Sequence, residues 1–267
     1  MATDNGKPGL QAKDRQFVTA LARGLDILSC FSAATPSLGT ADLSRMTGLP
    51  QATVWRLCHT LIEKGYLVQM DRKDKLRPGI PVLSLGYSAI STMPLAELAR
   101  TEMQQLAVKI QGAVSLGARD GLSMVYLQRC QGAEIVLRNM VVGSRVPMLT
   151  SATGWAYMAG LSGEQLNNLF AQLHQEDAVG FKEAKPHIER ALENYAATGM
   201  VINKGLLHPQ IYAVGVPVIS QDGGTVLALS CGGIAQLFND TALKQAGNAL
   251  KKLAGQISLM LSSQHKA

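Results

Sequence analysis

Residues 48–65 carry polar side chains whose types and spacing suit the reading of nucleic-acid bases. At about 100° per residue, a helix over this segment places one set of polar or small residues on the same side. That set is Gln51, Ala52, Thr53, Arg56, His59, Thr60 and Glu63, of which all but Glu63 are expected to contact DNA. Such side chains can reach base edges in a major groove. A solvated surface is the alternative that this helix alone leaves open.

The other side of the same helix has the pattern of a buried stripe. Its apolar residues recur at i, i+3, i+4, i+7 and i+8. They are Val54, Leu57, Cys58, Leu61 and Ile62. Pro50 suits the first helical position, and Gly65 suits the left-handed residue that ends a helix.

The flanking segments predict the elements that would position this helix. Residues 40–47 make two helical turns, with Thr40 as a candidate N-cap and DNA contact, and a tight turn follows at 48–49. Residues 66–70 and 75–77 predict two strands, joined by a turn that contains Arg72 and Lys73. Helix, turn, helix and basic hairpin form a winged helix-turn-helix, whose second helix enters the major groove. Arg72 and Lys73 are then expected at phosphate or in the minor groove.

A first helix is predicted over residues 17–31. Val18, Leu21, Leu25 and Leu28 recur on one side of it, so this side is expected to form the domain core. The expected partners in that core are Leu43, Val54, Leu57 and Leu61.

Four runs of sequence resemble the IclR family of bacterial transcription regulators. They are LARGLDILSCFS at 21–32, TADLSRMTGLPQATVWRLCHTLIEKGYL at 40–67, SATGWAYMAG at 151–160 and AVGVPVISQDGGTVLALSCGG at 213–233. The likeness covers roughly residues 17–262. It implies a DNA-binding regulator with an effector-binding domain of GAF or PAS type. It also implies a homodimer paired around the first helix and the linker, or a homotetramer if the effector domains pair as well.

A small-molecule site is expected where residues 149–154 open a helix. Small residues, hydroxyls and unpaired backbone N–H groups at a helix start suit a carboxylate or another compact anion. The set is Leu149, Thr150, Ser151, Ala152, Thr153 and Gly154. An ordinary capped helix is the alternative.

The resemblance adds four residues to the expected effector site. They are Asn203, Ala213, Ser230 and Gly232. Ala213 stands where many members of the family have Cys, and Ser230 and Gly232 stand where many have two serines. The pocket is therefore expected to be less polar than in members that bind very small acids, and a larger or aromatic acid is conceivable.

The length of 267 residues and the 47% apolar content favour two domains. We expect an N-terminal arm at 1–16, a mainly α winged helix-turn-helix at 17–78, a linker helix at 79–94 and an α+β effector domain at 95–267. The alternation of strands and helices after residue 112 supports the α+β class, with strands expected at 114–119, 123–130, 134–140, 200–203, 211–219 and 225–231.

The charge is concentrated in the first part of the chain. Residues 1–80 contain eleven Lys and Arg against seven Asp and Glu, a net charge of +4, out of +6 for the whole chain. Neutralisation of phosphates supplies most non-specific DNA affinity, so this distribution favours a double-stranded DNA partner.

Other classes of protein are less well supported by the sequence. The four cysteines and the histidines 174, 187 and 208 follow no metal-ligand spacing, and no Gly-x-Ser-x-Gly or His-Glu-x-x-His is present, so no metal, cofactor or catalytic site is predicted. No apolar run reaches the roughly 18 residues of a membrane span, and residues 1–16 lack a secretory signal, which favours a cytoplasmic protein. An enzyme or a protein-interaction scaffold remains the alternative function, because catalytic geometry need not follow sequence order.

Overall fold

The structure is a computed structural model that describes residues 16–70, 74–91, 99–132 and 140–264. The chain divides into two compact units, Met1–Gly86 and Tyr87–Ala267. The division falls within the segment predicted as a linker. Residues 1–15 of the expected arm, 92–94 of the linker and 134–139 of one expected strand lie outside the described residues.

The first unit contains the predicted helix-turn-helix and hairpin. Its elements are α1 (Thr19–Ser29), β1 (Leu38–Gly39), α2 (Thr40–Thr47), α3 (Gln51–Glu63), β2 (Leu67–Gln69) and β3 (Lys75–Pro78), followed across the division by α4 (Ile80–Ser91). The three strands form an antiparallel sheet in the order β1-β3-β2. Two residues are too few to show the period of a strand, so β1 was not predicted.

The helix ends differ in detail from the predicted ones. Gly39, not Thr40, precedes α2, and the Asp42 carboxylate accepts the Gly39 N–H at 3.3 Å. Thr40 is the first residue of the helix. Pro50 is the N-cap of α3 and lies outside the helix, where its carbonyl accepts the N–H groups of Thr53 and Val54. The predicted left-handed Gly65 is present, with φ of 75°.

The side of α1 that faces the core was predicted wrongly. Val18, Leu21 and Leu25 are 61, 62 and 55% exposed, whereas Ile27 is fully buried. Leu28 packs against the core only in part. Apolar residues cover more than one side of this helix, and a period of 3.6 residues cannot decide which side meets a partner.

The second unit is built on one six-stranded sheet. Its elements are α5 (Arg100–Ile110), β4 (Ala113–Asp120), β5 (Ser123–Gln131), β6 (Arg145–Pro147), α6 (Ala152–Ala159), α7 (Gly163–Glu176), α8 (Ala178–Thr198), β7 (Val201–Lys204), β8 (Ile211–Ile219), β9 (Val226–Ile234) and α9 (Asp240–Gln264). All pairings are antiparallel, in the order β6-β5-β4-β9-β8-β7. This is the predicted α+β class.

Helices cover both faces of the six-stranded sheet. On one face, α5 and α9 pack over a core that includes Leu116 and Leu229. On the other face, α6, α7 and α8 pack over a core that includes Met124 and Ala228. Along each strand, successive side chains point to opposite faces. The residues on either side of Leu116 in β4 and of Leu229 in β9, among them Ser115 and Ser230, therefore face α6. This face carries the candidate effector site.

Candidate DNA-binding surface and effector cavity

Helix α3 exposes the side that was predicted for base contact. Gln51, Ala52, Arg56, His59 and Thr60 are exposed, and Thr53 is half-buried. The opposite side is anchored in the core, where Val54 and Cys58 are buried. The arrangement presents a polar helix surface to solvent at the position that enters the major groove in a winged helix-turn-helix.

Trp55 is a surface residue that the sequence reasoning missed. It is 61% exposed, and its ring stacks on that of His59 with centroids 5.6 Å apart and planes 3° apart. Thr40, Trp55, His59 and Gln69 line a cleft of about 300 Å³ between α3 and the β2–β3 hairpin. The sequence does contain the pattern that predicts this stacked pair. Trp55 lies outside the apolar stripe and four positions before His59, and residues at this spacing are neighbours on a helix surface.

The predicted basic tip of the hairpin lies outside the described residues. Arg72 and Lys73 lie in the gap between the described residues 70 and 74. The neighbouring strand β3 carries Arg77, which is exposed.

Ser151 caps the start of α6, as in the alternative of an ordinary capped helix. The Ser151 hydroxyl accepts the Gly154 N–H at 3.0 Å and donates to the Pro147 carbonyl at 2.6 Å. Within the described part of the chain, the N–H groups of Ala152 and Thr153 have no hydrogen-bond acceptor. These two N–H groups and the positive end of the helix dipole are available to a ligand.

Close packing holds the start of α6 against β8 and β9. The hydroxyls of Thr153 and Ser230 are 2.8 Å apart in a buried hydrogen bond. A Cβ atom at Gly215 would lie 2.7 Å from the Ala152 carbonyl oxygen and 2.9 Å from the Ala156 Cβ. Glycine at this position therefore allows the helix to approach the sheet.

A cavity of about 40 Å³ lies between the start of α6 and the sheet. Six of the ten residues predicted for the effector site line it: Ser151, Ala152, Thr153, Ala213, Ser230 and Gly232. Its other lining residues are Ala113, Ser115, Tyr126, Arg129, Met140, Leu207 and Ile211. Leu149, Thr150, Gly154 and Asn203 do not line it.

Asn203 contacts the segment that precedes α6 and does not line the cavity. Its amide donates to the Thr150 carbonyl at 2.8 Å, and its side-chain oxygen accepts the Leu206 N–H at 3.0 Å. The Trp155 indole donates to the Leu149 carbonyl at 2.8 Å. Asn203 and Trp155 thus hold the segment before α6 in place, and neither side chain is among the cavity-lining residues.

Arg129 is the charged group of this cavity, and the sequence reasoning missed it. Its guanidinium donates to the Ser115 hydroxyl at 3.0 Å and lies 5.5 Å from the centroid of the Tyr126 ring. Desolvation by burial lowers the pKa of Arg129, against smaller opposing effects of Tyr126 and Cys231. Arg129 Nε is buried and has no hydrogen-bond partner among the described residues.

A β-bulge brings Tyr126 and Arg129 to the same face of the sheet. Leu116 pairs with Gln128 while the next residue, Gly117, pairs with Tyr126, so Leu127 is the extra residue of β5. Without the bulge, residues 126 and 129 would point to opposite faces. Strict alternation along β5 would thus have predicted the wrong face for Arg129.

The described residues offer little else that could support catalysis or metal binding. Among them, no group of three or more His, Cys, Asp and Glu side chains could hold a metal ion. All four cysteines are described and none is in a disulfide. Burial raises the pKa of Cys58 to about 11, which keeps this thiol protonated. Of the described helices, none is long and apolar enough to cross a membrane.

Comparisons with known proteins agree with both units. Residues 20–71 match the IclR helix-turn-helix domain, and residues 87–259 match the bacterial transcriptional regulator IclR C-terminal domain. The HTH-type transcriptional regulator TsaQ1/TsaQ2 of Comamonas testosteroni is 32% identical over 96% of this chain and 94% of its own.

Two solved structures extend the similarity to the fold. An IclR family transcriptional regulator from Brucella abortus has a TM-score of 0.82 and 33% identity, over 95% of this chain and 96% of its own. An IclR homolog from Microbacterium hydrocarbonoxydans, complexed with 4-hydroxybenzoate, has a TM-score of 0.71 and 21% identity, over 91% and 99%. The matched families and relatives are transcription regulators and not enzymes. This chain belongs to the IclR family of DNA-binding transcription regulators.

Proposed function

We propose that this regulator reads operator DNA with the exposed side of α3 and responds to an organic acid bound in the cavity under α6. The observation that carries the proposal is the polar, solvent-exposed side of α3 in a chain whose second unit holds a partly polar cavity. Because the operator is chromosomal DNA, the protein would act in the bacterial cytoplasm.

The roles proposed for the DNA contacts follow from their side chains. Arg56 and Gln51 would read base edges, since Arg suits guanine and Gln suits adenine in the major groove. Arg72 and Lys73 would contact phosphate or the minor groove. The remaining proposed contacts are Thr40, Ala52, Thr53, His59 and Thr60, together with Trp55, whose ring can contact a thymine methyl group.

The proposed effector is a carboxylic acid. The N–H groups at the start of α6 and the one O–H that the Thr153–Ser230 pair leaves free supply donors for a carboxylate. The Ser151 hydroxyl lines the cavity but already donates to the Pro147 carbonyl. Leu149, Thr150, Gly154 and Asn203 would act by holding this segment in position. The solved relative that holds 4-hydroxybenzoate makes aromatic acids a sensible first set of compounds to test.

The observed cavity is small for a ring. Its volume of about 40 Å³ compares with roughly 30 Å³ for one water molecule in the liquid and about 150 Å³ for an engineered cavity that binds benzene. An aromatic effector must therefore displace side chains. Met140 and Leu207 line the cavity and are apolar and flexible enough to move.

A homodimer paired through α1 is also proposed. Phe17, Val18, Leu21 and Leu25 are each more than half exposed and lie within two helical turns, a spacing that places them close together on one side. Large exposed apolar groups of this kind mark interaction surfaces. A two-fold dimer would bind a palindromic operator with half-sites about one helical turn apart or a multiple of it. Pairing of the second units would give a tetramer.

DNA binding is tested with the full-length protein and DNA from upstream of its own gene. We expect a gel shift with that DNA, much weaker binding to random DNA, and a steep loss of affinity as salt rises. Leu21→Glu combined with Leu25→Glu should give monomers in light scattering and weaken operator binding. Equal affinity for upstream and random DNA at all salt concentrations would contradict the proposal.

Effector binding is tested by a thermal-shift screen of carboxylic acids. A ligand at 100 times its Kd should stabilise the protein by roughly 2.7 kcal/mol. An effector must also change operator affinity, typically by about 5- to 150-fold, and operator DNA must change effector affinity by the same factor. A ligand that stabilises the protein without changing operator affinity would not be the effector.

A further inference from the structure

We propose that Arg129 is the anion-binding group of the cavity and that it forms a salt bridge with the effector carboxylate. The inference rests on the proposed effector function. It assigns the binding of the negative charge to one residue that was not among those expected from the sequence. It is supported by the described residues around Arg129, which include no counter-charge, and by the alignment of Arg129 with three hydroxyl groups.

The described residues around Arg129 include no negative partner for its guanidinium. Among the described residues no Asp or Glu pairs with it, and none lines the cavity. Its Nε is buried without an acceptor among the described residues, and the guanidinium donates to one described residue, the neutral Ser115. Arg129 is half-buried, and a cation that is partly removed from water is unfavourable unless it is paired and hydrogen-bonded. A bound anion would satisfy both needs.

A purely structural role explains this arrangement poorly. The cation–π contact of Arg129 with the Tyr126 ring uses the positive charge, but neither this ring nor the Ser115 hydroxyl supplies a counter-charge. Replacing buried ionic groups by apolar ones of similar size is often neutral or stabilising. A charged side chain that is kept where an apolar one would be as stable is expected at a functional site.

Strand register aligns Arg129 with other polar groups. Arg129 pairs with Ser115 across β5 and β4, and Ser115 pairs with Ser230 across β4 and β9. Directly opposed residues share a face, with Cβ atoms about 4.5–5.5 Å apart. Ser230 in turn bonds to Thr153 at the start of α6. One row therefore runs from the guanidinium through hydroxyls to the helix start.

The row suits a compact oxyanion. A guanidinium presents several N–H donors in a fixed fork that matches a carboxylate, and hydroxyls can donate to the same oxygens. The observed cavity has about the volume of one to two water molecules, which suits the charged group alone. The apolar side chains of Met140, Leu207 and Ile211 line the same cavity and would contact the rest of the ligand.

The test uses calorimetry on the full-length protein with four acids and their uncharged amides. The acids are acetate, pyruvate, benzoate and 4-hydroxybenzoate. We expect at least one acid to bind at least tenfold more tightly than its amide. Arg129→Met should weaken the binding of that acid by roughly 10- to 100-fold, because a hydrogen-bonded charge pair is lost. The affinity for the amide should change little.

Two further variants test whether a loss of acid binding comes from misfolding or from a general change in charge. Arg129→Lys keeps the charge but not the fork, so it should lose less affinity than Arg129→Met. Arg145→Met removes one positive charge from the same unit at an exposed residue that pairs with Asp120 outside the cavity. It should bind the acids like the wild type.

The outcomes separate this inference from the proposed function. If Arg129→Met or Arg129→Lys is folded and binds the acids as tightly as the wild type, or if no acid binds better than its amide, the inference is overturned. Operator binding by the wild type is measured in parallel. If operator binding is present, only the inference falls. If it is absent, the proposed function falls too.

Discussion

The polar side of α3 and the cavity under α6 are both sites, but their residues are assembled differently. The α3 residues lie within one segment of thirteen residues, and local helix geometry alone brings them together. The cavity is lined by residues of β4, β5, α6, β8 and β9, and its first and last lining residues, Ala113 and Gly232, are about 120 positions apart in the chain. The first site depends on one helix, and the second depends on strand register and close packing.

This difference has a consequence for mutational sensitivity. Exposed residues of α3 make few contacts within the protein, so their substitution should affect DNA binding and leave stability nearly unchanged. Cavity residues contribute both to ligand binding and to the packing of α6 on the sheet. Substitutions at the two sites should therefore differ in their effects on stability.

Gly215→Ala should lower the free energy of unfolding by about 1–3 kcal/mol, because the added methyl group would overlap the backbone of α6. Urea denaturation measures the effect. Gly232→Ala is the matched control, since its Cβ would have its nearest contact at 3.5 Å, with Ala213. It should change stability by less than about 0.5 kcal/mol while reducing the cavity and weakening acid binding. Equal stability of the two variants would show that α6 is not held by close packing.

Arg56→Ala should cost about 1–3 kcal/mol in operator binding and relax the preference at one base pair. The thermal midpoint should stay within a degree or two of the wild type, because Arg56 is exposed. Arg23→Ala removes an exposed charge from α1 of the same unit and serves as the control. Equal losses on operator and random DNA would mean that Arg56 contacts phosphate instead of a base.

Thr153→Val should lower the free energy of unfolding by about 1 kcal/mol, since it removes one buried hydrogen bond while keeping the side-chain shape. Ser230→Ala removes the other partner. In a double-mutant cycle the two substitutions should be non-additive by about 0.5–1 kcal/mol. Additive effects would show that the two hydroxyls do not interact in solution.

Trp55→Phe should cost less than about 1 kcal/mol in operator binding, because the smaller ring keeps most of the apolar contact. The chain has two tryptophans, so Trp155→Phe leaves Trp55 as the single indole fluorophore. Operator DNA should quench its emission, whereas an effector alone should leave it nearly unchanged. Unchanged emission at saturating operator DNA would place Trp55 away from the duplex.

The first helix shows a limit of periodicity within a single element. The pattern of α1 predicted a buried side, but Val18, Leu21 and Leu25 are exposed and Ile27 is buried. Two sides of this helix are apolar. Choosing between them requires the position of α3, which the pattern of α1 does not contain.

The sequence by itself determined the local features of this protein. Residue periodicity predicted the buried and exposed sides of α3, and the helix-end pattern predicted the left-handed glycine that follows it, because each depends on neighbours within one or two turns. The family resemblance supplied Ala213, Ser230 and Gly232, which line the cavity.

The tertiary structure alone decided the position of Arg129. A single extra residue in β5 turns Arg129 to the side of Tyr126, and the pairing of β5, β4 and β9 sets it beside Ser115 and in line with Ser230. A bulge depends on how two strands pair, and the sequence of one strand does not specify that pairing. The same is true of Asn203, whose partner Thr150 lies 53 positions earlier in the chain.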